Sequence, residues 1–416
     1  MGGSQSSDVH DWNSVSPVLQ LAGRQFTLLD ETLRDGVQSP SVVDPPVEDK
    51  LAIVHLMAKV GIGVVKAGMP SAGPRAAADA LAVVTEIRDA RLPLLAACAA
   101  RTTVNDVAAV ADIAQKTGVA VEVYTFIGSS PVRLYAEGWS VDDIVRHLER
   151  STTFAHAQGL SSCLVTEDTT RSSPEVLEPL FRRAIDLGIR RLCLCDTAGH
   201  AMPDGVRALF AWTQALVRAI GVPVKLDYHG HNDRGMAVTN ALTAIDCGAD
   251  RVHGTALGIG ERVGNAAIDQ ILINLALAGA WHHDLSQLVT YCQTVARACG
   301  VEIPANYPVS GRDAFRTATG VHAAAIVKAE RRGDLDLADR VYSSVRARAF
   351  GLTQIIEIGH MSGLSNVGHW LARHGLDYDD ELAREILACA KAARRVLSDD
   401  DVWAVVRERR VRLATK

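Results

Sequence analysis

Residues 225–247, KLDYHGHNDRGMAVTNALTAIDC, contain one complete unit of the repeat that decides the fold. The hydrophobic run Lys225–His229 predicts a β-strand, and Met236–Cys247 shows the helical spacing of apolar residues after a polar loop. His229 and His231 stand two positions apart at the end of the strand, so both imidazoles point to one face and can reach one ion. The unit therefore predicts a strand–helix repeat with a candidate metal site at its turn.

The same unit recurs from residue 24 to about residue 280 of the 416-residue chain. Alternating strands and helices predict a parallel sheet, and eight units in about 250 residues match an α/β fold of the (β/α)8 TIM barrel type. The predicted strands are Phe26–Asp30, Gly63–Ala67, Leu94–Ala99, Ala120–Phe126, Ser162–Thr166, Arg191–Cys195, Lys225–His229 and Arg251–Thr255. The helices predicted between them are Pro74–Arg88, Val104–Thr117, Val141–Gln158, Pro174–Leu187, Met202–Ile220 and Met236–Cys247.

The pattern changes to helices beyond about residue 285, around an irregular stretch at Val341–Met361. We therefore predict a disordered segment over 1–23, a catalytic barrel over 24–284 and a smaller C-terminal helical region over 285–416. The basic tail Arg407–Arg412 is interpreted as a solvated helix end. The helices predicted in the C-terminal region are Leu285–Cys299, Arg312–Glu330, Gly363–His374 and Asp379–Leu397.

Composition indicates an intracellular enzyme. The chain is 48% hydrophobic with a net charge of −5, and neither a bilayer-spanning run nor a signal peptide is seen. We expect a cytoplasmic protein that binds neither nucleic acid nor membrane. The eight cysteines lack CxxC spacing, and most of them are interpreted as small core residues in a reducing compartment. For Cys193 and Cys195, which form a CxC, the alternative is a metal or redox pair.

Polar and ionisable residues follow nearly every predicted strand. Active sites of (β/α)8 barrels assemble at the carboxyl ends of their strands, so these side chains predict one site there. The alternative is that loops are polar in any case, which explains one such residue more easily than the whole series. The residues are Arg34, Asp35, Arg101, Glu167, Asp168, Asp196, Thr197, His229, His231 and Glu261.

Seven motifs together carry a family resemblance that covers nearly all of residues 24–375. They are LDETLRDGVQSP (29–40), YTFIGSSPVRLYAEGW (124–139), TEDTTR (166–171), CDTAGHAMP (195–203), HGHNDRGMAVTNAL (229–242), GIGERVGNA (258–266) and TGVHAAAIVKA (319–329). The chain resembles the 2-isopropylmalate synthase and homocitrate synthase family, which comprises metal-dependent Claisen-type condensing enzymes related to hydroxymethylglutaryl-CoA lyase.

The resemblance implies an acyltransferase that uses acetyl-CoA, a 2-oxo acid and a divalent metal ion. A carboxylate and imidazole sphere suits Mg²⁺, Mn²⁺, Co²⁺ or Zn²⁺ and does not choose among them. Position by position, the resemblance implies the following roles. Asp35, His229 and His231 are metal ligands, and Asn265 is a further ligand or a neighbour of the ligands. Arg34 lies beside the oxo group, Gln38 and Thr197 contact substrate, and Glu167 and His322 are candidates for proton transfer. His322 would act in the other subunit of an intertwined homodimer.

Departures from the family pattern bear on the acceptor. Lys66 stands where relatives usually carry Glu, and His200 stands where isopropylmalate synthases usually have Tyr. With Arg101 after the third strand, these residues predict a positively charged pocket and an acceptor with a second anionic group. The alternative is that Lys66 pairs with a local acid such as Asp30 or Glu31.

Two further features disfavour 2-oxoglutarate and the branched-chain acceptor of isopropylmalate synthases, respectively. Homocitrate synthases typically place Arg where Cys163 stands, and the chain ends at Lys416 without the regulatory domain of many isopropylmalate synthases. The sequence looks like the branch that makes 2-phosphinomethylmalate or 2-phosphonomethylmalate for antibiotic biosynthesis, so we expect a phosphino- or phosphonopyruvate-type acceptor.

Alternative activities are citrate synthesis of the Re type from oxaloacetate, homocitrate synthesis and 2-isopropylmalate synthesis. A lyase is disfavoured because the loop Gly258–Asn265 lacks the cysteine that hydroxymethylglutaryl-CoA lyases carry there, and because the helical extension is present. A non-catalytic relative is disfavoured because the metal ligands are intact. Val37, where relatives often have Glu, is a mild departure that leaves Gln38 in place.

Overall fold

The computed structural model describes residues 10–15 and 19–415 of the chain, with only the backbone of Ser14. The predicted barrel is confirmed: eight parallel strands close on one another in chain order, and β1 pairs with both β2 and β8. The strands are β1 (Thr27–Asp30), β2 (Val64–Lys66), β3 (Leu95–Arg101), β4 (Val121–Gly128), β5 (Ser161–Glu167), β6 (Arg191–Asp196), β7 (Lys225–Gly230) and β8 (Arg251–Gly254).

Helices connect the strands and cover the barrel. Those of the barrel region are α1 (Val47–Lys59), α2 (Pro74–Asp89), α3 (Val104–Thr117), α4 (Pro131–Glu137), α5 (Val141–Ala157), α6 (Pro174–Asp186), α7 (Pro203–Ile220), α8 (Ala237–Asp246), α9 (Ile268–Leu277) and α10 (Leu288–Cys299). Several begin at residues that favour a helix start. Thr103, the N-cap of α3, is an example, because its side-chain oxygen accepts a hydrogen bond from the Asp106 amide. Of these helices, α1, α4 and α9 were not predicted.

Alternate residues of the strands fill the barrel interior. Leu29, Val64 and Tyr124 pack there with Cys193 and Cys195, whose sulfur atoms lie 3.7 Å apart. The interpretation of the cysteines as core residues fits this packing, since six of the eight are buried and none of them forms a disulfide. Successive side chains of a strand point to opposite faces. Inward-facing side chains at the strand ends can therefore meet above this core.

The chain divides into two compact units. Of the described residues, those from 10 to 284 and from 290 to 301 form the first unit, and those from 285 to 289 and from 302 to 415 form the second. The second unit contains β9 (Arg316–Thr317), α11 (Gly320–Arg331), α12 (Leu335–Arg340), β10 (Ile355–Ile356), α13 (Leu364–Arg373), α14 (Asp380–Ala392) and α15 (Asp399–Ala414). One of its cores forms around Trp370, Leu371 and Ile386.

Two helix predictions in the second unit need correction. The helix predicted over Arg312–Glu330 begins only at Gly320, because β9 pairs in parallel with β10 from the stretch predicted to be irregular. The helix predicted over Asp379–Leu397 ends at Ala392, since Ala393 takes an extended backbone. The basic tail lies in α15, which starts at a capping box on Ser398.

At the N-terminus, the predicted disordered segment falls largely on residues 1–9 and 16–18, which lie outside the described residues. A short 3-10 turn spans Trp12–Ser14, and the Gln20 amide donates to Asp246 Oδ1 at 2.9 Å. Within the described residues, none of the helices combines the length and the apolar character that crossing a bilayer requires.

Candidate active site

A cavity of about 310 Å³ opens where the barrel strands end at their carboxyl termini. Arg34 and Asp35 follow β1, Glu167 ends β5, Thr197 follows β6, and His229 lies near the end of β7. Because parallel strands bring these ends to one rim, residues far apart in the chain converge, as predicted. Of the predicted site residues, the lining includes Arg34, Asp35, Gln38, Lys66, Glu167, Thr197, His229 and His231.

Three of these side chains point donor atoms at a common position. His229 Nε2 and His231 Nε2 each lie 3.7 Å from Asp35 Oδ2 and 3.2 Å from one another. All three residues are buried, and their donor atoms fall within the span that one metal ion can bridge. One carboxylate oxygen and two imidazole nitrogens form a donor set that fits a divalent ion with open coordination positions.

The protonation states of these groups favour metal binding. Burial, the largest cause, lowers the pKa of His229 to about 3 and that of His231 to about 4. Burial opposes ionisation of Asp35, but the neighbouring Arg34, His229 and His231 outweigh it and hold the carboxyl pKa well below its usual range. At neutral pH the site thus offers neutral imidazoles and an ionised carboxylate, the forms that bind a metal ion.

The loop after β8 completes this corner of the site. Asn265 forms an isolated antiparallel bridge with His231, and its amide hydrogen-bonds Asp35. The same amide donates to the Ile259 carbonyl at 3.2 Å. Gly260 in this loop has φ +151°, and a Cβ there would overlap the Asn265 amide. Asn265 is therefore held beside the ligands by a turn that only glycine permits at this position.

Two of the cations that line the cavity, Lys66 and Arg34, share one acid. Glu31, which is 1% exposed, accepts from Lys66 Nζ at 2.7 Å and also from Arg34. The structure therefore realises the alternative left open by the sequence, in which Lys66 pairs with a local acid. Arg34 also lies 3.2 Å from Asp35 Oδ2, which places its guanidinium next to the metal ligands.

Glu167 and Thr197 lie across the cavity. Burial raises the pKa of the Glu167 carboxyl, although Arg133 at 3.0 Å opposes this. Thr197 Oγ1 accepts from the Asp168 amide at 2.8 Å, which joins the loop after β5 to the loop after β6. Glu167 is thus a carboxylate whose proton affinity exceeds that of a solvated one, a property of general bases.

Two predicted substrate contacts lie outside the cavity lining. Arg101 forms a two-pronged ion pair with Asp106 at 2.8 and 2.9 Å, and it lines an adjoining cavity that shares Phe126 and Glu167 with the first. His200 is exposed, and its amide donates to Asp196 Oδ1. The sequence placed both residues correctly at strand ends but could not show which way their side chains turn.

His322 belongs to the second unit. It lies in the first turn of α11 and stacks on Tyr342 with ring centroids 3.8 Å apart. Both rings line a small cavity of that unit. Its predicted role in another subunit's site stays a prediction.

Three side chains of the cavity lining, two of them charged and one an imidazole, were not among the predicted site residues. Glu31, His253 and Arg262 all line the cavity, and Arg262 pairs with Asp233 at 2.9 Å. His253 connects two acids, since its Nδ1 lies 2.6 Å from Glu31 Oε1 and its Nε2 lies 3.2 Å from Asp227 Oδ2. A signal was present: alternation along β8 puts His253 on the inward face.

Comparison with known proteins places this geometry in a family. Residues 25–295 match the family described as HMGL-like. The chain is 32% identical over 408 residues to homocitrate synthase AksA of Methanopyrus kandleri, which covers 94% of this chain and 96% of that protein. It is 31% identical over 311 residues to 2-isopropylmalate synthase of Lactococcus lactis subsp. cremoris, which covers 73% of this chain and 59% of that protein.

Solved structures show the same fold. HMG-CoA lyase of Bacillus subtilis superimposes with a TM-score of 0.57 at 21% identity, covering 68% of this chain and 96% of that one. The family match spans the whole barrel, and the alignment with AksA runs over nearly the full length of both proteins. This chain therefore belongs to the HMGL-like family.

Proposed function

We propose that this protein is an acyltransferase that condenses acetyl-CoA with a short 2-oxo acid in a metal-assisted Claisen reaction, followed by thioester hydrolysis. The observation that carries the proposal is the convergence of Asp35, His229 and His231 beside the Arg34 guanidinium. Relatives named homocitrate synthase and 2-isopropylmalate synthase support it.

The side chains divide the chemistry among them. A divalent ion held by Asp35, His229 and His231 would polarise the carbonyl of the 2-oxo acid. Arg34 stabilises negative charge on the carbonyl oxygen as the new bond forms, because its guanidinium is fixed in place before the reaction. Glu167, with its raised pKa, takes up the proton that leaves the acetyl methyl group.

We further propose that the active protein is a homodimer in which His322 serves the neighbouring subunit's site in proton transfer. This rests on the family resemblance of the TGVH motif, in which His322 lies. The ring is held in the second unit by its stacking on Tyr342, so it can be presented with a fixed orientation.

The narrower proposal concerns the acceptor, which we take to be of the phosphino- or phosphonopyruvate type. Lys66 in the cavity lining supports it. Such an acceptor requires the Lys66 ammonium to exchange Glu31 for the distal anion of the substrate, because Lys66 donates to that acid at 2.7 Å.

A second candidate is an acceptor whose distal group needs no free cation, such as 2-oxoisovalerate. Apolar side chains of the same lining favour it, since Met69, Ala99, Phe126 and Val165 offer a hydrophobic surface. The two candidates therefore differ in whether Lys66 or the apolar wall meets the distal group.

CoA release from acetyl-CoA tests the function. Purified protein with Mn²⁺ or Co²⁺ is assayed against phosphinopyruvate, phosphonopyruvate, oxaloacetate, 2-oxoglutarate and 2-oxoisovalerate. Turnover that disappears in Asp35→Asn is the expected result. Absence of turnover with every acceptor would contradict the proposal, and cleavage of hydroxymethylglutaryl-CoA instead would replace it with a lyase.

A pair of variants separates the two acceptor candidates. If Lys66 binds the distal anion, Lys66→Met raises KM for the anionic acceptor by at least about tenfold relative to pyruvate, the loss of one charged hydrogen bond. Arg101→Met is the matched control, because Arg101 lies outside the lining and should leave acceptor preference unchanged. Equal effects of Lys66→Met on both acceptors would favour the apolar candidate.

A further inference from the structure

We propose that Glu31 is a positioning residue for the metal site: its buried carboxylate holds His229 by Nδ1 and thereby directs Nε2 toward the metal position. The inference rests on the metal site of the proposed function. It assigns a role to an acid that the sequence analysis considered only as a partner of Lys66.

The His229 ring lies between two carboxylates. Its Nδ1 is 3.4 Å from Glu31 Oε1, whereas its Nε2 is 3.7 Å from Asp35 Oδ2 on the opposite side. A carboxylate on one ring nitrogen fixes the tautomer and the ring orientation, and it raises the basicity of the other nitrogen as a metal ligand. Glu31 is thus placed to determine which nitrogen of His229 binds the ion.

Glu31 itself is contacted from two other strands and from its own loop after β1. Lys66 Nζ of β2 and His253 Nδ1 of β8 contact the same oxygen, Oε1, at 2.7 and 2.6 Å. Arg34 contacts the other oxygen, and the Lys66 ammonium lies 4.1 Å from the centre of the Tyr124 ring. A buried carboxylate is stable only when its charge is compensated, and these three contacts supply that compensation.

The same atoms could suggest a second metal site, because donor atoms of Glu31, His229 and His253 also lie close together. The Lys66 ammonium argues against that reading. It lies 2.7 Å from Glu31 Oε1, and His253 Nδ1 lies 2.6 Å from the same oxygen, so both close acceptor positions of that oxygen are already used. We therefore assign Glu31 to positioning and not to direct coordination.

The test is Co²⁺ affinity of the metal-free full-length protein, measured by titration of the visible absorption of the bound ion. Glu31→Gln is expected to weaken Co²⁺ binding by about 10- to 100-fold and to alter the absorption bands. Asp30→Asn is the matched control: Asp30 is the adjacent, fully buried acid, and it contacts Thr32 and Tyr291 instead of a ligand. The Asp30→Asn variant should bind Co²⁺ with the affinity of the wild-type protein.

Wild-type Co²⁺ affinity in a folded Glu31→Gln variant would overturn the inference. If that variant does not fold, the double variant Glu31→Gln/Lys66→Met removes both charges of the pair. Its Co²⁺ affinity is measured in the same way. We expect the same loss of affinity, and wild-type affinity would again overturn the inference. A third measurement needs no variant. In the Zn²⁺-loaded protein, NMR of the imidazole nitrogens should show His229 protonated at Nδ1, and coordination through Nδ1 would overturn the inference.

The outcomes also separate this inference from the proposed function. Unchanged protein that binds Co²⁺ but releases no CoA contradicts the function and leaves the positioning role to be decided by Glu31→Gln. Unchanged protein that fails to bind Co²⁺ overturns both.

Discussion

Asp35 is the residue on which the metal site depends most directly. It is the one carboxylate among the three proposed ligands, and Arg34, His229 and His231 surround it at 3.2 to 3.7 Å. In the absence of an ion it is the partner of all three groups. In the proposed site, its side chain would therefore contribute both to the affinity for a divalent ion and to the position of the Arg34 guanidinium.

We predict that Asp35→Asn lowers Co²⁺ affinity by on the order of 100-fold and abolishes CoA release, because a neutral amide is a poor substitute for an anionic ligand. Titration of the metal-free protein measures the affinity. Asp106→Asn is the control, since Asp106 is similarly buried but pairs with Arg101 outside the cavity lining. An Asp35→Asn variant that keeps wild-type affinity would remove Asp35 from the ligand set.

At the scale of single elements, the end of β1 shows how strand alternation sorts two neighbouring acids. Glu31 faces inward to Lys66, whereas Asp30 turns the other way and accepts hydrogen bonds from the Thr32 amide and the Tyr291 hydroxyl. Burial raises the pKa of Asp30 from 3.8 to about 6. The folded state therefore keeps a proton that the unfolded state has already released.

This shift predicts a pH dependence of stability. Between about pH 4 and pH 6 the folded state binds more protons at Asp30, so the free energy of unfolding falls as pH rises, by about 3 kcal/mol for a shift of this size. Urea unfolding from pH 4 to pH 7 measures it. The Asp30→Asn variant should lack this contribution to the pH dependence. The difference in unfolding free energy between the two proteins should therefore change between about pH 4 and pH 6. Parallel curves would contradict the prediction.

The loop after β8 yields a second prediction at this scale. Gly260→Ala should weaken Co²⁺ binding by about tenfold, because the added Cβ overlaps the Asn265 amide and lies 3.1 Å from Asp35 Oδ1. Gly279→Ala is the control for backbone strain alone. Its φ is +67° and its Cβ meets open space, so it should lose about 1 kcal/mol of stability without a change in metal affinity. Equal Co²⁺ affinity in both variants would exclude a role for this turn.

At the scale of the whole molecule, the two proposed halves of the chemistry lie in different units. Asp35 belongs to the first unit and His322 to the second. If His322 serves the site of the other chain, two inactive variants can complement one another. Mixing Asp35→Asn with His322→Ala under conditions of subunit exchange should restore about a quarter of wild-type CoA release, since half of the dimers contain one complete site.

Each variant alone should be inactive and dimeric by light scattering. No recovery in the exchanged mixture, with mixed dimers demonstrated, would show that His322 acts in its own chain or not at all. A monomeric protein with full activity would contradict the dimer itself.

The barrel and the grouping of the candidate ligands were predictable, because both depend on local features of the sequence. Eight strand–helix units follow from the periodicity of apolar residues, and strand ends such as HGH place two imidazoles on one face by backbone geometry alone. The start of α11 was not predictable in this way, because pairing of β9 with a segment about forty residues away interrupts the local helical pattern.

The sequence by itself thus determined the architecture, the candidate ligands and the rim at which they meet. Only the tertiary structure decided which acids the basic side chains pair with. Lys66 pairs with Glu31, Arg101 pairs with Asp106, and His253 bridges Glu31 to Asp227. The physical reason is that each ion pair depends on the distance between side chains from different strands. Barrel closure sets those distances, and neither hydrophobic periodicity nor motif spacing contains them.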